Sequence, residues 1–144
     1  MEHLDRVRSS FARQSVMALI GAELGEVRAG HVEVLIPYRE DLTQQHGFLH
    51  AGIVTTIADS ACGYAAFSLM PPESSVLTIE FKVNLLAPAK GDTFRAVGTV
   101  VKAGKTITVC SGEVYALGAA DPRLVATMTA TIMTLKGRPG VSEG

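Results

Sequence analysis

Asp59 is the residue in this chain whose setting most suggests chemistry. Across Gly52–Met70 it is the only charged side chain, in a run dominated by Ala, Gly, Thr, Ser, Ile and Val. A carboxylate in such a run must be protonated, hydrogen-bonded or turned toward a cavity, because burying the bare charge is costly. A structural carboxylate, capping a loop or sharing a solvated stripe with Thr55, Thr56 and Ser60, is one expectation. A general base or nucleophile is the other, since unpaired carboxylates of this kind recur at reactive sites.

Nine residues earlier, His50-Ala51-Gly52 follows a polar loop (Asp41–Leu49, with Gln44, Gln45, His46 and Gly47) and opens the same run. If the run is a helix, its first N–H groups lack intrahelical acceptors and lie at the positive end of the dipole, suited to a developing oxyanion. Helical rise then separates His50 from Asp59 by about 13 Å. One carbonyl cannot touch both within one chain. If both act on it, the site lies between two copies with antiparallel helices, and homodimerisation becomes part of the mechanism.

The elements that must position these residues are legible from period and punctuation. Residues 2–14 place Leu4, Val7 and Phe11 on one helical face. From Ala18 to Tyr38 the pattern is extended, with a hairpin turn at Arg28-Ala29-Gly30 and a stop at Pro37. Ile53–Met70 reads as a helix ended by Pro71-Pro72. Leu77, Ile79, Phe81, Val83 and Leu85 alternate with polar residues, the signature of a strand with one buried face.

Thr93–Val101 and Thr106–Ala116 form a hairpin through Lys102-Ala103-Gly104-Lys105, with a bulge expected at Cys110-Ser111-Gly112. In the last strand Met128, Ala130 and Ile132 alternate with threonines, and the tail from Gly137 is expected to fray. The order is short helix, hairpin, one long helix, then a four-strand antiparallel meander. That is an α+β chain with a sheet wrapped around a single small-residue helix. The division expected is an N-terminal helical segment over 1–15, one domain over 16–136 and a flexible tail over 137–144.

Composition narrows the function. Net charge is −1 with scattered cations, which removes the basic footprint of a nucleic-acid binder. The first fifteen residues carry charges throughout and no apolar core of a signal peptide. A central Asp among small residues argues against a membrane span for Ile53–Met70. Cys62 and Cys110 lack partner spacing and read as buried thiols of a cytoplasmic protein, and no base marks Cys62 as a nucleophile. His3 and His31 read as surface residues. His46 lacks the spaced partners of a metal site, so no metal is expected.

Gln44-Gln45-His46-Gly47-Phe48-Leu49-His50-Ala51-Gly52, then Ile57-Ala58-Asp59 and Gly63-Tyr64-Ala65-Ala66, resemble the phenylacetate-pathway type (PaaI-like) of hotdog-fold thioesterase. The likeness continues through Thr78–Ala89 and Gly104-Lys105-Thr106, covering about residues 15–135. The resemblance implies a hotdog fold of about five to six antiparallel strands around one helix, dimers often paired into tetramers, and hydrolysis of acyl-CoA. CoA would be part of the substrate, with no separate cofactor.

By the family pattern Asp59 is the nucleophile or the base for water, and the Ala51 N–H, with help from Gly52, forms the oxyanion hole. Gln44 orients thioester or water, His50 shapes the helix start, and Thr78 faces Asp59. Relatives commonly read His-Gly-Gly, so Ala51 is a departure that narrows the approach of the thioester. Lys82, Lys102 and Lys105 are candidates for the CoA phosphates, and Gly104-Lys105-Thr106 is no P-loop. Ile53, Phe67, Leu69 and Met70 are candidates to line the acyl groove. Two other readings stay open: a non-catalytic acyl-CoA-binding hotdog protein, and a hotdog dehydratase or hydratase.

Overall fold

The computed structural model of the chain describes residues 2–118 and 120–136. Three α-helices, a 3-10 turn and six strands follow in order: α1 (Glu2–Arg13), α2 (Ser15–Ile20), β1 (Glu23–Arg28), β2 (His31–Pro37), the turn Glu40–Leu42, α3 (Ala51–Phe67), β3 (Ser74–Leu85), β4 (Thr93–Ala103), β5 (Ile107–Leu117) and β6 (Arg123–Lys136). All six strands form one antiparallel sheet in the order β1-β2-β4-β5-β6-β3. The sheet curls around α3, which packs against β2 through β6. This is the hotdog fold, as expected. The fraying expected of the tail from Gly137 falls outside the described residues, as does the His3 side chain, which was expected to be exposed.

Two glycines let the helix lie this close. Gly98 of β4 and Gly112 of β5 are cross-strand partners directly beneath it. A Cβ at Gly98 would stand 2.3 Å from the Ala61 carbonyl oxygen, and one at Gly112 3.0 Å from Cys62 Sγ. Small residues on both sides therefore replace a layer of side chains with direct helix-to-strand contact.

Four expectations are corrected. Ala18–Ile20 is not extended: Ser15–Ile20 forms α2, which buries Met17 and Ile20 and ends at Gly21 in the left-handed region (φ 73°). The apolar stretch was a short helix read at the wrong period. The four-strand meander is really three strands, because β3 crosses to the far edge and pairs with β6. No bulge occurs at Cys110-Ser111-Gly112. Thr108, Cys110, Gly112, Val114 and Ala116 alternate inward without a break, the small members being those under the helix, and the register shifts fall at Val100/Lys102 and Val114/Tyr115.

The fourth concerns β3, where a single buried apolar face was expected. A register shift lies between Thr78 and Glu80, so Leu77 pairs with Met133 while Phe81 pairs with Ala130, three residues apart on β6. Leu77 and Phe81 therefore lie on opposite faces. Leu77, Ile79, Phe81 and Leu85 remain 44–55% exposed on this outer strand.

Candidate active site

The site grows from the α3 start. His50 is its N-cap, extended at φ −60° and ψ 138°, and its Nδ1 accepts the Gly52 N–H at 2.8 Å. A Cβ at Gly52 would press on that ring at 3.0 Å, which explains the glycine. The Gly52 N–H is thus occupied by His50. The Ala51 N–H has no acceptor among the described residues, and Ala51 is exposed. Of the two donors expected of an oxyanion hole, Ala51 is the one left open.

Gln44 holds the preceding loop. Its Oε1 accepts the His46 N–H at 2.7 Å and the Phe48 N–H at 3.1 Å, while its backbone N–H donates to the Phe48 carbonyl at 2.9 Å. Gln44 and Ala51 line one cavity of about 410 Å³, closed by Phe48, Val54 and the Leu85–Ala89 segment.

Two turns into α3, Asp59 is half-buried and accepts a hydrogen bond from Thr78 Oγ1 at 2.8 Å. Burial pushes its carboxyl above the usual range, and the Thr78 hydroxyl partly offsets this. It opens on a second cavity of about 280 Å³, lined also by Gln14, Ser60, Gly63, Tyr64, Val76, Leu77 and Thr78. The two cavities share no residue. Eight residues of helix place Ala51 and Asp59 about 12 Å apart, so one chain does not bring the oxyanion donor and the carboxylate together.

Other candidates fall elsewhere. Lys82 is exposed on β3, whereas Lys102 and Lys105 are exposed at the β4–β5 hairpin, with β6 and β5 between. Three strand spacings, about 14 Å, separate those strands. Phe67 is 1% exposed and belongs to the core, and neither of these two cavities is lined by Ile53, Phe67, Leu69 or Met70. Cys62 is fully buried and burial pushes its thiol far up, which argues against a nucleophile there. Burial raises Cys110 to about 11.

His31 is not a surface residue. Its side chain is 13% exposed, and Nε2 sits 3.2 Å from Glu33 Oε2. Glu26 joins them within 4.8 Å but is already paired with Arg28 at 2.6 Å.

Sequence reasoning missed Gln14, Ser60 and Tyr64 as cavity residues. Ser60 and Tyr64 sit one and five positions past Asp59, and helical neighbourhood could have flagged them. Gln14 carries no local signal, since only the packing of α1 and α2 brings it to α3.

Residues 46–121 match the thioesterase superfamily. The chain is similar to a solved thioesterase family protein of Silicibacter pomeroyi, at 56% identity and a TM-score of 0.92 over 94% of this chain and 99% of that one. It is 28% identical over 90 residues to the 1,4-dihydroxy-2-naphthoyl-CoA hydrolase of Listeria monocytogenes, which covers 62% of this chain and 73% of that one. Its fold also matches the PaaI protein of the E. coli phenylacetic acid degradation operon, at a TM-score of 0.84 and 19% identity over 94% of each chain.

Proposed function

Because this chain belongs to the thioesterase superfamily and is a thioester hydrolase, we propose that it cleaves an acyl- or aryl-CoA to the free acid and CoA, in a site built by two copies. The observation that carries this is Asp59. It is a lone, partly desolvated helical carboxylate, oriented by Thr78 and open to a cavity.

Ionised Asp59 either removes the proton from a water that attacks the thioester carbonyl carbon, or attacks that carbon itself. In both routes the carbonyl oxygen becomes an oxyanion, and the Ala51 N–H of the second copy stabilises it. The C–S bond then breaks, CoA leaves as its thiolate and takes up a proton, and the acid departs. In the nucleophilic route water hydrolyses the Asp59 anhydride. A single turnover in ¹⁸O-water separates the two, since only the anhydride route leaves ¹⁸O in the Asp59 carboxyl when water attacks that carbon. Gln44 orients the thioester at the second copy's helix start. Lys82 and the hairpin pair Lys102 and Lys105, being far apart in one chain, would not meet the same CoA phosphate together.

β3 supports a dimer. It is one of the two outer strands, with one edge unpaired and apolar side chains exposed, an arrangement proteins cover. Val76 and Thr78 flank the Asp59 cavity, and Leu85 flanks the Ala51 cavity. A two-fold axis near Phe81 pairing β3 with its copy would bring the Asp59 cavity of one chain beside the Ala51 cavity of the other. Such dimers could pair again into tetramers. Among the described residues no helix is long and apolar enough to cross a membrane. A cytoplasmic acyl-CoA pool would supply the substrate.

Ala51 is the first helical residue, where proline is tolerated and lacks only the N–H under test. Ala51→Pro should lower kcat about 100-fold to 1,000-fold, the cost of one oxyanion donor. Asp59→Asn should abolish thiol release. Mixing the two variants and allowing subunits to exchange should restore about one quarter of wild-type activity, because a mixed dimer keeps one intact site. Thiol release by Asp59→Asn at the wild-type rate, or no recovery in proven mixed dimers, would refute the shared site.

A further inference from the structure

The cavity beside Asp59 has a polar end. Gln14 reaches it from the junction of α1 and α2, where its backbone is fixed: its N–H donates to the Phe11 carbonyl at 3.1 Å and its carbonyl accepts from Met17 at 3.0 Å. Its side-chain Oε1 accepts the Ser60 hydroxyl at 3.0 Å. That bond orients the amide and leaves the Gln14 Nε2 hydrogens without an acceptor among the described residues. α1 is itself anchored, through Arg6 to the Met70 carbonyl just beyond α3 at 2.9 Å and through Ser10 to the Tyr64 hydroxyl of α3 at 3.1 Å.

Gly63 sets the depth of the same cavity. It lies one turn beyond Asp59, and a Cβ built on it meets nothing within 4 Å. The absent side chain is the space. Val76 supplies an apolar wall, and no cation lines the cavity, whose one charged residue is Asp59.

Resting on the hydrolase reading above, we propose that this cavity holds the acyl group and that Gln14 is a specificity-determining residue, selecting compact acyl groups with an uncharged oxygen acceptor at the far end. A reacting carbonyl must lie about 3–3.5 Å from the Asp59 carboxylate, or one water further away where Asp59 acts as base, so the carbons beyond it enter this space and the CoA arm leaves toward the second copy. A volume of about 280 Å³ sits at the small end of ligand cavities, which disfavours long alkyl chains. An alkyl terminus would also strand the Gln14 donors, and a carboxylate terminus would face Asp59 with no compensating cation.

The test compares kcat/KM for thiol release from levulinoyl-, pentanoyl-, glutaryl- and dodecanoyl-CoA. Levulinoyl and pentanoyl differ by one distal carbonyl oxygen, and wild type should favour levulinoyl by about tenfold to a hundredfold. Gln14→Leu, of similar volume, should bring those two esters within about twofold of each other. Gly63→Leu should lower kcat/KM for all four longer esters relative to acetyl-CoA.

An unchanged preference in Gln14→Leu, or an unchanged ranking in Gly63→Leu, overturns the proposal. If wild type releases thiol from none of the esters, the hydrolase reading fails instead. The cavity is then read by calorimetric binding of the same esters to Asp59→Asn. The same order of affinities, lost on adding Gln14→Leu, supports the assignment, and equal affinities overturn it.

Discussion

Replacing Thr78 by valine tests how the carboxylate is prepared. Valine keeps the shape and removes the hydroxyl that donates to Asp59 Oδ1 at 2.8 Å. Hydrogen bonds to charged groups contribute about 1.5–3 kcal/mol. Asp59 is only half-buried, so solvent screening places this one at the lower end. The bond favours the ionised form. Its loss should therefore raise proton affinity roughly tenfold and move the midpoint of the acid limb of kcat/KM up by about one pH unit.

The direction matters, because burial already holds the Asp59 carboxyl above its usual value and the Thr78 hydroxyl is what lowers it. The assay is thiol release from one acyl-CoA across the acid range, with KM and kcat resolved. Thr78 acts through Asp59, so the pH midpoint should move whatever happens to KM. An unmoved midpoint with a uniformly lower rate would show that Thr78 only supports the strand, and the orientation argument would be wrong.

Asp59→Asn should unfold at a higher urea concentration than wild type at neutral pH. The folded carboxyl binds its proton more tightly than the unfolded one, so wild-type stability falls as pH rises through the folded value, and the gap should close below the ordinary carboxylate value of 3.8. A gap that widens in acid would reverse the assigned shift. Gly98→Ala should cost about 3 kcal/mol, the upper end for overpacking, because its methyl would meet helix backbone at 2.3 Å; a denaturant midpoint equal to wild type would refute the close approach. Phe81→Asp should leave a folded single chain by light scattering, without thiol release, since the charge enters the proposed β3 pairing; an active dimer would exclude that edge.

Much of the site was legible because its logic is local. A lone carboxylate in a small-residue helix, a polar loop feeding that helix, and a rise of about 1.5 Å per residue already imply two chemical groups too far apart to share a carbonyl in one chain. The Thr78 contact followed from the motif's likeness, and the hydrogen bond agrees with it. The Gly52 N–H was misjudged because a His side chain as N-cap is decided by rotamer and turn geometry, which spacing does not reveal.

The amino-acid order alone determined the element types (α2 apart), the central helix, the turn positions and the chemical identity of the key groups, because hydrophobic period and Gly/Pro punctuation act over a few residues. Only the tertiary structure decided that β3 leaves the meander for the outer edge, and that a register shift splits its apolar residues between two faces. Strand pairing over such distances depends on which surfaces the whole sheet can bury. The same holds for Gln14, whose place beside Asp59 is a consequence of how α1 and α2 dock on α3.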